Sequence, residues 1–432
     1  MKNDFDSGST MHGWARDMWS FPRSITGDGT RATLRYLQDL FPEWRIFEVP
    51  SGTKALDWKV PQEWRIHRAY IEDLNGNRLI DLNESNLHVV SYSTPINAIL
   101  SRDQLEPHLH SIEALPRAIP YVTSYYRNDW GFCLTHEQRG VLGDGPFRVF
   151  IDAEKFDGSL TYAEAYLPGT STDEVLLWSY VCHPDMANNE LSGPIVLTAL
   201  ARWLAQQTDR HYSYRLALGP ETIGSIVYIS RSLEHMQKHV KAAWVLSCIG
   251  DDRNYSYLES RSADTVTDRV TIDAYEALNI SYKRYTWNER GSDERQFGAP
   301  NVDLPVCSIM RTKYGQYPEY HTSLDDLSVV TPAGLAGGLR AAIECVKTME
   351  RKRLWQSTVM GEPFFGKTNL PYPTIGTGVA PSITKALKDI LAQCDGRTEV
   401  EEIARKTQRS LNAVREVLAV LEEADLVTLR LR

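Results

Sequence analysis

Apolar strand-like segments alternate with loops and helices between residues 147 and 349, and this alternation limits the fold more than any other feature of the chain. Four of the segments are predicted to be buried strands, namely Val175–Val181, Tyr214–Leu218, Ala243–Cys248 and Leu304–Met310. Strands that alternate with helices pair into a mostly parallel sheet covered by helices. The sequence therefore predicts an α/β fold for this region.

Polar side chains follow each of the four strands. In chain order these loops read His183-Pro-Asp-Met-Ala-Asn-Asn-Glu190, Gly219-Pro-Glu-Thr-Ile-Gly224, Gly250-Asp-Asp252 and Glu319-Tyr-His-Thr-Ser-Leu-Asp-Asp326. In open α/β sheets, ligands bind outside the carboxyl ends of the strands. One such loop would mean little, but four together favour an active site.

Two histidines and two glutamates in these loops have the chemistry of a metal site. Catalytic zinc is usually held by three His, Glu or Asp side chains and keeps one position open for water, and His183, Glu190 and His321 supply such a set. A nearby carboxylate can take a proton from that water as it attacks a carbonyl, so Glu221 is the candidate base. Structural explanations stay open for each residue. A single His after a strand is more often a hydrogen-bonded structural residue than a ligand. Glu221 could be a carboxylate at a helix N-terminus, stabilised by the helix dipole, and Asp251 could be a turn residue.

Composition limits the partners of the chain. Its 432 residues suffice for two or three domains, and its net charge of −9 argues against nucleic acid as the main partner. The six cysteines lack CxxC spacing, so neither a disulfide framework nor a cysteine zinc knot is expected. We find no apolar signal segment and no run of about 18 apolar residues, so we expect a cytoplasmic protein without a membrane partner.

The region from 41 to 144 differs in character from the rest, because it is rich in Trp, Tyr, Pro and short alternating runs. We predict a small β-rich domain there, inserted into a larger domain formed by 1–40 and 145–355. Arg68–Asp81 is predicted to be a hairpin that turns at Asn75-Gly76. The aromatic residues could form a binding surface, although packing of a small β core is the commoner reason for them.

The C-terminal part predicts a separate module. A Pro/Gly-rich linker is expected over 356–379, and three helices followed by a strand over 380–432 outline a winged helix. That module has nine Lys and Arg against nine Asp and Glu, which gives a net charge of zero. The neutral balance favours a packing or protein-contact role over DNA binding.

The order of the motifs resembles the zinc-dependent aminopeptidases of the di-zinc, transferrin-receptor-like class. The matching stretches are His183-Pro-Asp185, Asn188-Asn-Glu-Leu-Ser-Gly193, Glu221-Thr-Ile-Gly224, Gly250-Asp251, Gly291-Ser-Asp-Glu294 and Tyr320-His-Thr322. Over nearly its full length, the chain more closely resembles a bacterial subgroup of aminopeptidase-like proteins, on phrases such as Asp57-Trp-Lys-Val-Pro-Gln-Glu-Trp64. Members of that subgroup have a small inserted domain and a C-terminal winged helix, and they often accompany polysaccharide or natural-product biosynthesis. The resemblance implies a zinc-peptidase-like, mostly parallel sheet flanked by helices.

Two departures from the di-zinc pattern bear on the number of metal ions. Asn189 stands where that pattern has an Asp that bridges two metals, and Thr222 stands where a second Glu would bind. The loss of these carboxylates weakens the electrostatic case for two dications about 3.5–4 Å apart. We therefore expect one zinc ion, bound by His183, Glu190 and His321.

The resemblance also assigns roles around the metal. Asp185 and Asp326 are expected to orient the imidazoles, as carboxylates near metal ligands commonly do. Asp293 and Glu294 would bind the free α-amine of a substrate, and Arg295 would hold a carboxylate or an oxyanion. The alternative is that these three residues form an ion-pair cluster that steadies a loop.

The function that the sequence favours is a zinc-dependent hydrolase, most simply an aminopeptidase or amide hydrolase. Its substrate would be a small peptide or an aminoacylated small molecule. The alternatives are a non-catalytic binding or scaffolding protein on a peptidase fold, a regulator that uses its winged helix, and a single-zinc acyl transfer enzyme like glutaminyl cyclases. The sequence leaves open the substrate and whether the chain forms a homo-oligomer.

Overall fold

The computed structural model describes residues 7–351, 353–368, 370 and 382–431. Up to Ile343 the chain forms one compact unit, and from Glu344 it forms a second. Within the described ranges, none of the helices combines the length and the apolar character that crossing a bilayer requires.

The described residues form the following helices and strands. The helices are α1 (Gly8–Met18), α2 (Asp28–Leu40), α3 (Arg102–Leu105), α4 (His136–Val141), α5 (Ser192–Ala205), α6 (Ile223–His239), α7 (Val266–Ala277), α8 (Glu294–Phe297), α9 (Pro332–Arg351), α10 (Ser382–Leu391), α11 (Val400–Thr407) and α12 (Leu411–Glu423). The strands are β1 (Arg45–Pro50), β2 (Lys54–Ala55), β3 (Trp58–Lys59), β4 (Glu63–Asp73), β5 (Arg78–Asp81), β6 (Ile96–Leu100), β7 (Leu109–His110), β8 (Phe132–Cys133), β9 (Phe147–Phe156), β10 (Ser159–Leu167), β11 (Glu174–Tyr180), β12 (Ser213–Gly219), β13 (Val240–Leu246), β14 (Ser256–Leu258), β15 (Lys283–Tyr285), β16 (Val306–Met310), β17 (Arg353–Ser357), β18 (Asp395–Glu399) and β19 (Val427–Leu431).

A mixed eight-stranded sheet organises the large unit, with the order β1-β10-β12-β11-β13-β16-β14-β15. Its centre is parallel, because β11 pairs in parallel with β12 and β13, and β13 pairs in parallel with β16. Antiparallel pairs join β10 to β12 and β14 to β16. The four strands predicted from apolar runs are β11, β12, β13 and β16, which form this parallel centre, so the predicted α/β fold is confirmed.

The central strand is apolar on both faces because the sheet is covered on both sides. Every residue of β11 is buried, and Trp178 at its centre has no solvent exposure. Helix α5 packs against this strand through a largely buried surface. Gly193 lies in its first turn, where a Cβ atom would collide with Ser179 Oγ and with the backbone of Leu246. The Ser-Gly turn of the sequence therefore allows the helix to begin against the sheet.

A four-stranded antiparallel sheet, β5-β4-β9-β6, forms the second sheet of the large unit. The predicted hairpin is confirmed, since β4 and β5 pair and Gly76 has φ +88° in the turn between them. The predicted limits of the inserted domain, 41 and 144, differ from this sheet at both ends. β1 pairs with β10 in the large sheet, and β9 beyond residue 144 pairs with β4 in the small one. Long-range pairing, which a local pattern does not encode, sets these limits.

The C-terminal unit has the predicted winged-helix elements, with α10, α11 and α12 beside a sheet of order β18-β17-β19. Its core contains Leu387, Ile403 and Leu418. The predicted linker of 356–379 is corrected at its start, because Ser357 ends β17 and Phe365 is buried in the same core. The rest of that prediction, residues 371–379, lies outside the described residues.

Candidate active site

The candidate site lies where the central strand of the large sheet ends. β12 and β13 lie on opposite sides of β11, so the strand order reverses there and leaves a crevice at the carboxyl ends of the strands. A cleft of about 260 Å³ is bounded by residues that follow β11 and β12. Its lining consists of Ile25, Trp58, Tyr121, Thr123, Tyr125, Tyr126, Cys182, His183, Glu221, Thr222, Ile223 and His321.

A buried ion pair fixes the imidazole of His183. Glu190 accepts hydrogen bonds from the backbone N–H groups of Cys182 and His183, both at 2.9 Å, and its Oε2 lies 3.0 Å from His183 Nδ1. Arg23 places its Nε 3.4 Å from Glu190 Oε1 and donates to the carbonyl of His183 at 2.8 Å. The side chains of Arg23 and Glu190 have no solvent exposure. Because Nδ1 of His183 is held by Glu190, its Nε2 is the nitrogen left for a ligand.

The charge of Glu190 also changes the acidity of His183. Burial by itself lowers the pKa of this imidazole, but the hydrogen bond and the charge of Glu190 outweigh burial, so the pKa lies above its ordinary value. Glu221 adds to the rise, with its Oε2 3.6 Å from His183 Nε2. Ser292 donates to the other oxygen of Glu221 at 2.8 Å. Burial raises the pKa of Glu221 itself.

His321 has an unusual environment for a histidine. Its Nε2 is buried and has no hydrogen-bond partner among the described residues. The ring is stacked on Tyr320, with centroids 3.9 Å apart, and its centroid lies 5.4 Å from that of His183. Burial, and then the charge of His183, lower the pKa of His321 to about 3. A neutral imidazole with a free nitrogen is the form that binds metal ions.

The loop of His321 is held by a segment from the region that was predicted to be inserted. Tyr121 N–H donates to the carbonyl of His321 at 2.9 Å, and Ser323 N–H donates to the carbonyl of Ile119 at 2.9 Å. The Tyr121 ring lies edge-on to both imidazoles, and its hydroxyl bonds to that of Tyr125. This region therefore supplies one wall of the cleft.

Four non-glycine residues with positive φ lie in the loops that surround the site: Asp185 (45°), Thr222 (66°), Cys248 (46°) and His321 (58°). Such conformations cost on the order of 1–3 kcal/mol each and tend to cluster at functional sites. A π-helical turn at Ala187–Leu191, in which Ser192 N–H bonds to the carbonyl of Ala187, adds a fifth irregularity.

Neutral side chains and satisfied carboxylates occupy the region that would hold a second metal ion. Asn189 Oδ1 accepts from the hydroxyl of Tyr180 at 3.1 Å. Asp251 accepts from Thr312 N–H at 2.8 Å, from its hydroxyl at 2.7 Å and from the Asn188 amide at 3.1 Å. Asp251 also accepts from Arg253 N–H at 3.0 Å and so stabilises a turn, which is the structural explanation given for it from sequence.

The two aspartates predicted to orient imidazoles do not do so. Asp185 accepts from Ser85 Oγ and from the backbone and side-chain amides of Asn86, at 2.7–2.9 Å. Asp326 accepts from the backbone and hydroxyl of Ser328. Its buried neighbour Asp325 instead anchors the π-helical turn, accepting from two backbone N–H groups there at 2.7 and 2.8 Å. Asp185 is bound to the segment of Ser85 and Asn86, and Asp326 is bound to Ser328 in its own loop, so neither carboxylate orients the imidazole of His183 or His321.

The acidic pair predicted to bind a substrate amine is buried instead. Asp293 accepts from Trp178 Nε1 at 2.6 Å, Thr222 N–H at 2.8 Å and Ser225 Oγ at 2.7 Å. Burial, and then the charge of Glu221, raise the pKa of Asp293 to about 7. Glu294 accepts from four further donors, namely Gly291 N–H, Ser292 N–H, Ser308 Oγ and Tyr314 OH.

Arg295 is the member of this group that lies near the cleft wall. It donates to the hydroxyl of Thr222 at 2.6 Å, and its buried Nε has no hydrogen-bond partner among the described residues. The predicted ion-pair cluster is absent between Arg295 and the two buried acids of this loop, since their carboxylates bind other donors.

Comparison with known proteins assigns the chain to a family. The family described as "Domain of unknown function (DUF4910)" matches residues 12–352. The chain belongs to the DUF4910 family. A winged helix-turn-helix family matches residues 353–429, which confirms the predicted C-terminal module of this DUF4910 protein.

Proteins that are similar to this chain carry names that refer to peptidases or to an aminopeptidase-like domain. A Clostridium acetobutylicum protein named for polysaccharide biosynthesis and an aminopeptidase-like domain is 37% identical over 431 residues, covering 99% of this chain and 98% of that protein. A crystal structure of a protein named as a peptidase from that organism has a TM-score of 0.80 at 36% identity, covering 98% and 96% of the two chains. BSAP, a zinc aminopeptidase from Bacillus subtilis, has a TM-score of 0.56 at 11% identity, covering 80% and 95%. The DUF4910 protein is thus aminopeptidase-like, and at 11% identity the likeness to BSAP shows the fold alone.

The donors of the site form two possible metal sets on opposite sides of the His183 ring. Cys182, His183 and Glu190 have donor atoms within 4.8 Å of one another. That set is a poor fit for a dication, because Arg23 already neutralises Glu190 and burial raises the pKa of the Cys182 thiol well above its ordinary value. The second candidate set comprises His183 Nε2, Glu221 and His321, which line the same cleft, although in the described part of the chain only the first set has all its donor atoms within 4.8 Å of one another. Two ligands at about 2.0–2.2 Å from a tetrahedral ion are roughly 3.4 Å apart, close to the observed 3.6 Å between His183 and Glu221.

Sequence reasoning missed Arg23 and Asp325. Arg23 lies 160 positions before the backbone carbonyl that it binds, and no local pattern marks it. Asp325 and Asp326 are adjacent, so only the fold decides which of the two points inward. A buried Glu beside a buried His was a signal that a compensating cation should exist somewhere in the chain.

Proposed function

We propose that the DUF4910 protein is a zinc-dependent hydrolase that cleaves amide-linked acyl groups in the cleft of His183, Glu221 and His321. The observation that carries the proposal is the unpartnered, buried Nε2 of His321, which lies in the same cleft as the free Nε2 of His183. A buried ring nitrogen without a partner is costly unless a ligand satisfies it. Two imidazoles and a carboxylate are a donor set used by catalytic zinc.

The residues of the site divide into holding and positioning groups. His183, His321 and Glu221 would hold one ion, which would lower the pKa of a bound water to about 7 and polarise a substrate carbonyl. Glu190 keeps the His183 ring in one tautomer and orientation through Nδ1, as carboxylates behind metal-binding histidines do. Glu190, predicted from sequence as a ligand, thus acts through His183 instead. Arg23 neutralises Glu190 and keeps its charge from competing for the metal.

Glu221 takes the place of the carboxylate ligand in this arrangement. From sequence it was the candidate base, and its raised pKa also suits a base. The 3.6 Å separation between Glu221 Oε2 and His183 Nε2 favours Glu221 as a metal ligand. Because Glu190 is paired with Arg23, the site would have only the two histidines as protein ligands without Glu221. Arg295, beside Thr222, remains the candidate for stabilising negative charge on the substrate.

The test combines metal content with hydrolysis of aminoacyl and N-acyl amides by the full chain. We expect about one zinc per chain, and we expect chelation to abolish hydrolysis. His321→Gln should lower zinc occupancy and activity together, whereas His67→Gln, which changes an exposed histidine on β4, should leave both unchanged. Zinc binding that is unaffected in His321→Gln would contradict the proposal. Full zinc retention with lost activity in Glu221→Gln would return Glu221 to the role of base.

A further inference from the structure

We infer that the cleft accepts neutral N-acyl amides carried on an aryl or pyranose ring, and that it discriminates against substrates with a free α-amine. The inference rests on the proposed hydrolase function and concerns its substrate class. It differs from aminopeptidase specificity, in which an acidic group binds the substrate ammonium.

The first argument is that the cleft lacks a free carboxylate for an ammonium group. Glu221 is the one Asp or Glu in the lining given by the described residues. It already bonds to Ser292 and lies beside His183. Asp293 and Glu294, the sequence candidates for amine binding, have no solvent exposure and are bonded to three and four protein donors. A substrate ammonium entering the cleft would lose its hydration without gaining an unshared anion.

The second argument is the sign of the fixed charges around the cleft. Arg295 reaches the cleft wall at Thr222 and has a buried N–H group without a partner. Arg23 lies behind His183, bonded to its carbonyl. Because Glu190 neutralises Arg23, Arg295 is the guanidinium near the cleft that favours a carbonyl, a hydroxyl or an anion.

The third argument is that much of the cleft lining is aromatic. Trp58 and Tyr126 are 38% and 55% exposed, although both are large and apolar, and their ring centroids lie 5.5 Å apart at 70°. Tyr121 and Tyr125 continue this wall inward to the imidazoles. Exposed aromatic rings at the edge of a cleft stack on planar or pyranose rings at little entropic cost. The wall therefore fits a ring that bears the amide, with the small acyl group directed to His183 and His321.

Two matched compounds separate the two substrate classes. Leucine p-nitroanilide and N-acetyl-leucine p-nitroanilide have the same scissile bond and differ in an acetyl group, which removes the positive charge of the α-amine. With the zinc-loaded full chain, we expect kcat/KM to be about tenfold or more higher for the acetylated compound, because the ammonium of the other compound loses its hydration without a carboxylate to bind it. A tenfold difference corresponds to about 1.4 kcal/mol. A preference for the free amine would overturn the inference and leave the proposed hydrolase function intact.

Binding provides the readout that does not depend on catalysis. N-acetylglucosamine, glucosamine and acetanilide are titrated calorimetrically into the metal-free full chain. We expect N-acetylglucosamine to bind about tenfold or more tightly than glucosamine, and the comparison with acetanilide identifies a sugar or an aryl ring as the preferred carrier. Equal or tighter binding of glucosamine would overturn the inference. If no amide is hydrolysed, the proposed function fails, and this titration still decides the substrate class.

Variants of the aromatic wall test the ring contact. Trp58→Ala should weaken binding of the preferred neutral ligand by about tenfold, and Trp58→Phe should restore most of it. Tyr166→Ala, which removes a ring of similar exposure (43%) on β10 outside the cleft lining, is the matched control and should bind normally. Unchanged affinity in a folded Trp58→Ala variant would overturn the assignment of the wall.

Discussion

Arg23 and Glu190 form a buried ion pair behind His183, so removing the arginine tests how the site is held together. In Arg23→Met, the carboxylate of Glu190 would stay fully buried with backbone N–H donors but without its cation. Breaking one partner of a buried pair typically costs about 3–5 kcal/mol. The exposed pair Arg65–Glu154, at 3.1 Å and 41% and 50% exposure, provides the matched control, and Arg65→Met should cost less than about 1 kcal/mol.

The assay is urea unfolding of the metal-free protein, followed by tryptophan fluorescence. All tryptophans except Trp355 lie before Glu344, so the signal reports on the large unit. The double variant Arg23→Met/Glu190→Gln removes both charges and should recover part of the loss, with a coupling energy of about 1–3 kcal/mol. The reasoning is refuted if Arg23→Met costs no more than Arg65→Met, or if the two single losses simply add.

Three further results are expected. Burial raises the pKa of Asp325 from 3.8 to about 6, so ionisation of this side chain destabilises the fold as the pH rises through 6. Relative to Asp325→Asn, the free energy of unfolding of the wild type should be about 2 kcal/mol higher at pH 4.5 than at pH 7, measured by urea unfolding. A difference that does not change with pH would contradict this. All six cysteines are buried, so none should react with a thiol reagent at pH 7.5 until the chain unfolds, and rapid native labelling of Cys182 would contradict its raised pKa. In a fluorescence anisotropy titration at 0.15 M salt, the full chain should bind duplex DNA with a Kd no lower than about 1 μM, because its winged helix has no net charge. Tighter, salt-dependent binding would contradict a protein-contact role for the winged helix.

Local patterns in the sequence were sufficient to predict the four central strands of the large sheet and the β4–β5 hairpin. The parallel strands are continuous apolar runs because they are buried on both faces, and the polar loops after them meet at one edge of the sheet. His183, Glu221 and His321 could be predicted to lie close together for the same reason. The limits of the small β-rich region could not, because β1 and β9 choose their partners over long sequence separations.

The orientation of individual carboxylate side chains could not be predicted from the sequence. Glu190 lies beside His183 as expected, but it faces Nδ1 and Arg23 rather than the cleft. Asp185 turns toward Asn86 at a positive φ, a conformation that a motif does not reveal. A motif specifies which chemical groups are near one another, whereas hydrogen bonds from distant segments decide which oxygen remains free to bind a ligand.

The two possible metal sets differ in sulfur, so X-ray absorption of the zinc-loaded protein tests the central claim most directly. The account predicts one zinc with nitrogen and oxygen neighbours at about 2.0–2.2 Å, two of them imidazoles, and the loss of an imidazole signal in His321→Gln. A sulfur neighbour at about 2.3 Å would place the ion with Cys182 and Glu190, on the other side of His183, and would contradict the account.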